Sequence, residues 1–416
     1  MSAIYPFAAL RPTPKAAVEV ASVPYDVVNS EEARALAAGH PLSFLHVSRP
    51  EIDLPPGTDP HADLVYEQAA RAFEKLKADA PLVIEDTPSL YVYRLHMGSH
   101  VQSGIAACFS IDEYDRDLIK KHEKTRPDKE DDRTRHMLAI GAQTGPVFLT
   151  YRASKAVDEV VSRVVELEPL FDLTAPDGVR HQVWQIPANE NQAIVDAFAR
   201  IDALYIADGH HRAASAARTR RAKGDSAPST SALSATADKS AALGSAAEVD
   251  RVLAVAFPDN QMQVLPYNRV VRDLNGLTPE GLREALARKF SLRKGGPESP
   301  AEKGQLAMYL AGEWHTIAIE TPSDGLDVDV LETAVLQPIL GIGDIRTDTR
   351  IDFVGGIRGT KELEKLVDSG NYAVAFSLYP VSVTDLMRVS DAGGIMPPKS
   401  TWFEPKLRDG LLSHLI

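Results

Sequence analysis

Residues 205–212 read Tyr-Ile-Ala-Asp-Gly-His-His-Arg, and no other stretch of the chain constrains its fold as strongly. The apolar run 203–207 makes a strand, and Gly209 supplies the dihedral freedom of a tight strand-to-helix turn. The helix that follows carries Ala213, Ala214, Ala216 and Ala217, small side chains that let it approach a sheet closely. Its first amides have no intrahelical acceptor, so such a turn suits an anion, phosphate above all. Arg212 adds a permanently charged planar fork. His210 and His211 can donate hydrogen bonds or shuttle a proton, and Asp208 can hold a magnesium ion. The plain alternative makes Asp208 a helix cap, the histidines ordinary first-turn residues and Arg212 half of a surface ion pair. Two His, an Arg and an Asp around one turn glycine favour the ligand.

Around this turn, strands and helices alternate, which implies an α/β or α+β core. Asn29 caps a short helix beginning near Glu31, and Val65, Ala69, Ala72, Phe73 and Leu76 recur at helical spacing. Residues 90–96 and 104–109 pair as a hairpin across 97–100. Strands are expected at 147–151, 182–186, 251–257, 263–265, 306–310, 315–319 and 373–378, with helices at 153–167, 189–198, 279–290, 328–340 and 361–367. The opening segment to Val28 reads as Pro-rich extended chain. The Ala- and Ser-rich segment 222–247 lacks apolar surface for a core and reads as a surface insertion. A chain of 416 residues exceeds one typical core, and the pattern divides it into three regions: N-terminal α/β over residues 1–110, central over residues 111–275, and C-terminal α/β over residues 276–416.

The net charge of −13 repels polyanions, so nucleic acid and anionic membrane are not expected partners. A phosphate ligand must instead be a small nucleotide held by a local basic cluster. Cys108 is the single cysteine, which excludes an internal disulfide and, with no apolar leader, points to the cytoplasm. No stretch approaches the about 20 apolar residues that span a bilayer.

Other candidate residues are His122-Glu123-Lys124-Thr125-Arg126, in a loop before a helix opened by Pro127, with Asp131, Asp132 and Arg133 on its early turns. The run is either a site or a solvated charge face. It lacks the second His of a zinc-protease signature, and a zinc cluster of His122, His210 and His211 has no carboxylate or Cys spacing in its support. Tyr25 and Asp26 either recognise an amino acid's amine or close an Asx turn. Lys399 either contacts phosphate or belongs to a strap that docks Trp402 and Phe403.

The Asp208-to-Arg212 turn resembles the phosphate-binding strand-turn-helix of the ParB and sulfiredoxin-like superfamily, which includes nucleotide-dependent free serine kinases. Nearly the whole chain is similar to the bacterial family known as domain of unknown function 1015. The carriers are Val23-Pro24-Tyr25-Asp26-Val27-Val28, His122-Glu123-Lys124-Thr125 with Asp132-Arg133, the turn itself, Leu265-Pro266-Tyr267-Asn268-Arg269, and Met396-Pro397-Pro398-Lys399-Ser400-Thr401. The chain departs from the usual pattern at Val23, often Pro, and at Asn268, often His. The resemblance implies a ParB/sulfiredoxin-like core in the central region and a kinase that uses ATP or ADP with Mg2+ to phosphorylate a small hydroxyl metabolite, free L-serine first. It assigns Glu123 as base, Arg212 and His211 to the transferred phosphoryl group, and His210 with Gly209 and Lys399 to the nucleotide. Asp208 goes to magnesium, and Tyr25, Asp26, His122, Thr125 and Arg133 to the amino acid. Two rivals stand beside it. A ParB-type switch would bind or hydrolyse nucleotide without phosphorylating a metabolite, and a sulfiredoxin-like repair enzyme would need a reactive thiol at the turn.

Overall fold

The computed structural model describes all residues except Met1, Pro81 and 227–247. Contacts divide the chain into two units, residues 1–262 with 405–416, and residues 263–404. The boundaries therefore fall at 262 and 404, where the sequence pattern suggested 110 and 275. Position 110 is no boundary, because the His100–Ser110 strand sits inside the main sheet of the first unit.

That sheet runs, among the described residues, in the order Ile119–Lys120, Leu204–Asp208, Val147–Tyr151, Arg251–Pro258, His100–Ser110, Tyr91–Met97, Arg180–Gln185, Phe171–Thr174, with Ile4–Tyr5 added beside His100–Ser110. The expected hairpin is present and antiparallel, with Met97 opposite His100. Leu204–Asp208 pairs parallel with Ile119–Lys120 and antiparallel with Val147–Tyr151. Behind the sheet, Ala213, Ala216 and Ala217 of the His210–Ser226 helix join Leu149, Ile206 and Ala254 in the apolar core. The small helix face thus packs as its sequence indicated. The helix runs on through residue 226, so positions 222–226 of the expected insertion are helical, and the rest of that insertion lies outside the described residues.

Asn29 caps the Ser30–Ala37 helix, with Glu32 returning a bond to its backbone in a full capping box. Pro14–Val20 is also helical, with Pro14 at its first turn, although that segment reads as extended. Proline lacks only the N–H that a first-turn residue does not use. A second apolar cluster joins Val20 of the Pro14–Val20 helix, Phe44, and Phe73 and Leu76 of the Asp63–Asp79 helix to Ile140. Beside it the strand Ser413–Leu415 pairs with Ala9–Pro12 and Ala142–Gln143, which returns the end of the chain to the first unit.

The second unit has an antiparallel sheet in the order Ser291–Lys294, Glu313–Ala318, Gln305–Leu310, Val374–Leu378, Tyr267–Val271, Ile351–Gly355. Leu363 of the Gly359–Asp368 helix packs with Val270, Val354 and Ala375 of that sheet. Both units mix helices and strands, so the fold is α/β in the broad sense. No helix among the described residues is long and apolar enough to cross a membrane.

Candidate active site

Parallel pairing assembles the site. Ile119 lies opposite Leu204 and Lys120 opposite Tyr205, so the loop after Lys120 and the turn after Asp208 leave the sheet at the same end. Carboxyl ends of parallel strands are where α/β sheets bind ligands. Along the other edge the register shifts between Ile206 and Asp208, at the end of the strand. Pro127 then opens the Pro127–Ile140 helix, which lies along the His210–Ser226 helix. Ser215 donates to the Glu130 carbonyl at 3.0 Å, and Arg218 meets Asp131 at 3.2 Å. Residues nearly ninety positions apart in sequence become one cluster.

Gly209 has φ +93°, a region that costs any other residue dearly, and its ideal Cβ would sit 3.0 Å from Nε of Arg212. The Arg212 guanidinium therefore folds back under the turn. It donates to the Pro146 carbonyl and lies 3.5 Å from Asp208 and 3.8 Å from Asp26. Its Nε is buried with no hydrogen-bond partner among the described residues. Burial alone would lower its pKa, but Asp26 and Asp208 outweigh that and hold it above its ordinary value, so the charge is permanent. Asp208 is the centre of this balance. It accepts the Gly209 N–H at 2.9 Å and pairs with Lys406 at 3.1 Å. Its carboxylate is thus matched by two cations, Arg212 and Lys406, with which a magnesium ion held there would compete.

His122 and His210 stack edge to face with centroids 4.4 Å apart, and the His122 amide donates to Nε2 of His210 at 3.4 Å. Nδ1 of His210 lies 3.9 Å from a carboxylate oxygen of Glu123. Burial pushes the His122 imidazole down to about 4. Burial, with His122 next in effect, pushes His210 well down too. Both rings are thus neutral near pH 7, able to donate and accept but not to act as cations. Glu123 keeps 31% of its side chain exposed. His211 is half-buried, and its Nε2 accepts the Arg126 amide at 3.1 Å.

The remaining candidates of the first unit are also gathered. Tyr25 lies under the Arg133 guanidinium at 4.3 Å, and Arg133 binds Asp132 at 2.8 Å and the Ser48 carbonyl at 3.3 Å. Tyr25, Arg133 and Arg212 line a cavity of about 30 Å³, enough for water but not for a nucleotide. On the open side of the cluster Asp26 is exposed and Glu123, Asp208 and His211 are partly so. Thr125 is tied to Glu130. The larger cavity, about 340 Å³, lies instead among Pro41, Val47, Gln68 and Leu76. Lys399 belongs to the second unit, where its ammonium lies 5.5 Å from the Tyr267 ring centroid and its carbonyl accepts from Arg269. Asn268, the departure from the usual His, is buried and accepts the Leu378 amide at 3.1 Å, a structural role.

Two residues escaped the sequence reading, Lys406 and Asp409. Asp409 lines the small cavity beside Arg212, and burial pushes its carboxyl up to about 7 against the pull of Arg212. Both lie in the tail that returns to the first unit, and no local pattern marks them. Cys108 is fully buried in its strand, so no reactive thiol serves the turn.

The structure is similar to free serine kinase in complex with AMP, at 13% identity and a TM-score of 0.37 over 74% of this chain and 92% of that one. A variant of free serine kinase in complex with ADP gives 14% and 0.36 over the same shares. A conserved hypothetical protein from Pyrococcus furiosus gives 14% and 0.37 over 74% and 94%. No curated protein matches the sequence. The family model described as "Protein of unknown function (DUF1015)" matches residues 4–336, and the chain belongs to that family.

Proposed function

We propose that this chain is a nucleotide-dependent kinase, using ATP or ADP, that phosphorylates the hydroxyl of a small metabolite, free L-serine first. The observation that supports it is the Glu123 carboxylate 3.9 Å from His210, in the first turn of a helix suited to phosphate. Phosphoryl transfer to a hydroxyl needs positioning, charge neutralisation and a proton acceptor, and little else from the protein. Serine as acceptor, and the ParB/sulfiredoxin-like character of the region that carries the turn, come from the motif resemblance.

In this reading Glu123 takes the hydroxyl proton while the serine oxygen bonds to the terminal phosphorus. The bond from that phosphorus to the bridging oxygen breaks, and the electron pair leaves with the shortened nucleotide. His211 and the first amides of the helix hold the transferred group, and His210, as a neutral donor, holds the adjacent phosphate. Arg212 supplies positive potential from beneath Gly209. Tyr25 and Asp26 face the amine of the amino acid, with Arg133 behind them, and Lys399 remains a candidate phosphate contact. No step runs through magnesium at Asp208. A reaction fed by nucleotide places the protein in the cytoplasm. Labelled ATP and ADP, each incubated with a panel of hydroxyl-bearing metabolites, test the reading. Phosphoserine formation supports it, and nucleotide hydrolysis that no acceptor stimulates moves it to a ParB-type switch.

A further inference from the structure

The pair of neutral histidines beside Glu123 has a property that phosphate binding does not use. His122 is 3% exposed, and its Nδ1 is buried with no hydrogen-bond partner among the described residues. A neutral imidazole that keeps its lone pair on such a nitrogen is in the form that binds a metal ion. An unsatisfied buried nitrogen is costly unless something occupies it.

One ligand atom from each of His122, Glu123 and His210 lies within 4.8 Å of the other two. We propose that these three side chains form a site for a borderline divalent transition-metal ion, Zn2+, Co2+ or Ni2+, with a fourth position open to an oxygen ligand. Two imidazoles and one carboxylate are the donor set of catalytic zinc sites, which keep such a position. A tetrahedral ion with bonds of about 2.0–2.1 Å sets its donors roughly 3.3–3.4 Å apart. The 3.9 Å between His210 and Glu123 must close by about half an ångström, which rotation of the partly exposed Glu123 can supply, and the other pairs, within 4.8 Å, by at most about 1.5 Å. Binding at Nδ1 of His210 moves that ring's proton to Nε2 and gives up the long 3.4 Å contact with the His122 amide. A carboxylate bound through one oxygen keeps the other. His211, with its Nε2 already accepting the Arg126 amide, stands outside the set.

The test is titration of tag-free, chelator-stripped full-length protein with Co2+, without nucleotide, so that failure of the kinase reading leaves the result unaffected. One equivalent should bind, with the intense visible absorption of a low-coordinate site, and Zn2+ should displace it. Glu123→Gln and His210→Asn should each raise Kd at least tenfold, while His46→Ala, at the remote pair with Asp53, should not change it. If His210→Asn fails to fold, Glu123→Gln decides alone. Absence of stoichiometric binding, or a Glu123→Gln protein that binds like wild type, overturns the site.

Discussion

Replacing Gly209 with alanine probes the whole architecture of the turn. The φ of +93° costs an L-residue about 1–2 kcal/mol. The new Cβ would also sit 3.0 Å from Nε and 3.1 Å from Cζ of Arg212. A free arginine would swing aside, but this one is buried and held by the Pro146 carbonyl, Asp26 and Asp208. Overpacking against a fixed buried group costs a further 1–3 kcal/mol or so. The total, about 2–5 kcal/mol, should appear as a lower urea midpoint with m unchanged, followed by a probe of the first unit. If the crowding is real, removing the guanidinium relieves it. In a cycle with Arg212→Ala, the cost of Gly209→Ala should fall by about 1 kcal/mol or more. A loss below roughly 0.5 kcal/mol for Gly209→Ala, the range of ordinary surface changes, would refute both the strained turn and the folded-back arginine.

Asp409 has a folded-state pKa of about 7, above the roughly 3.9 of an unfolded carboxyl, so its contribution is full below pH 4 and is lost as pH rises through 7. The shift corresponds to about 4 kcal/mol, and Asp409→Asn should gain stability relative to wild type by that order between pH 4 and 7, read from urea midpoints; a constant difference would place the charge elsewhere. Arg212→Ala removes the permanent charge beneath the turn, so nucleotide affinity and turnover should fall together, in equilibrium binding and steady-state kinetics. Retained affinity would show that the phosphates do not sense Arg212.

Local signals carried much of the fold. The hairpin at 91–110, the Asn29 capping box and the Ala-faced helix after Gly209 each depend on neighbours in sequence, and each is present. The turn itself was legible because Gly209 and the residues around it act through backbone geometry. What joined it to Glu123 was not, since the two-residue strand Ile119–Lys120 has no periodicity to read and matters only through its parallel partner. Lys406 and Asp409 were invisible for a related reason, as they reach the site through a pairing of residues 413–415 with strands near 9–12 and 142–143. Pro14 was misread because prolines in extended chain and at a helix start look alike in composition. The two cations around Asp208 could not be read together, because they come from one helical turn away and from the far end of the chain.

The central claim is that the carboxylate beside His210 accepts the proton of an attacking hydroxyl. Glutamine keeps the shape of glutamate but cannot take a proton, so Glu123→Gln should leave nucleotide Kd within about twofold while phosphoserine formation falls 10²- to 10⁴-fold, about 3–5 kcal/mol of barrier. The direct measurement is single-turnover transfer from labelled nucleotide to L-serine in wild type and Glu123→Gln, with nucleotide binding measured on the same preparations. Slow transfer with intact binding is the predicted result, and a Glu123→Gln protein that transfers at the wild-type rate would contradict the account.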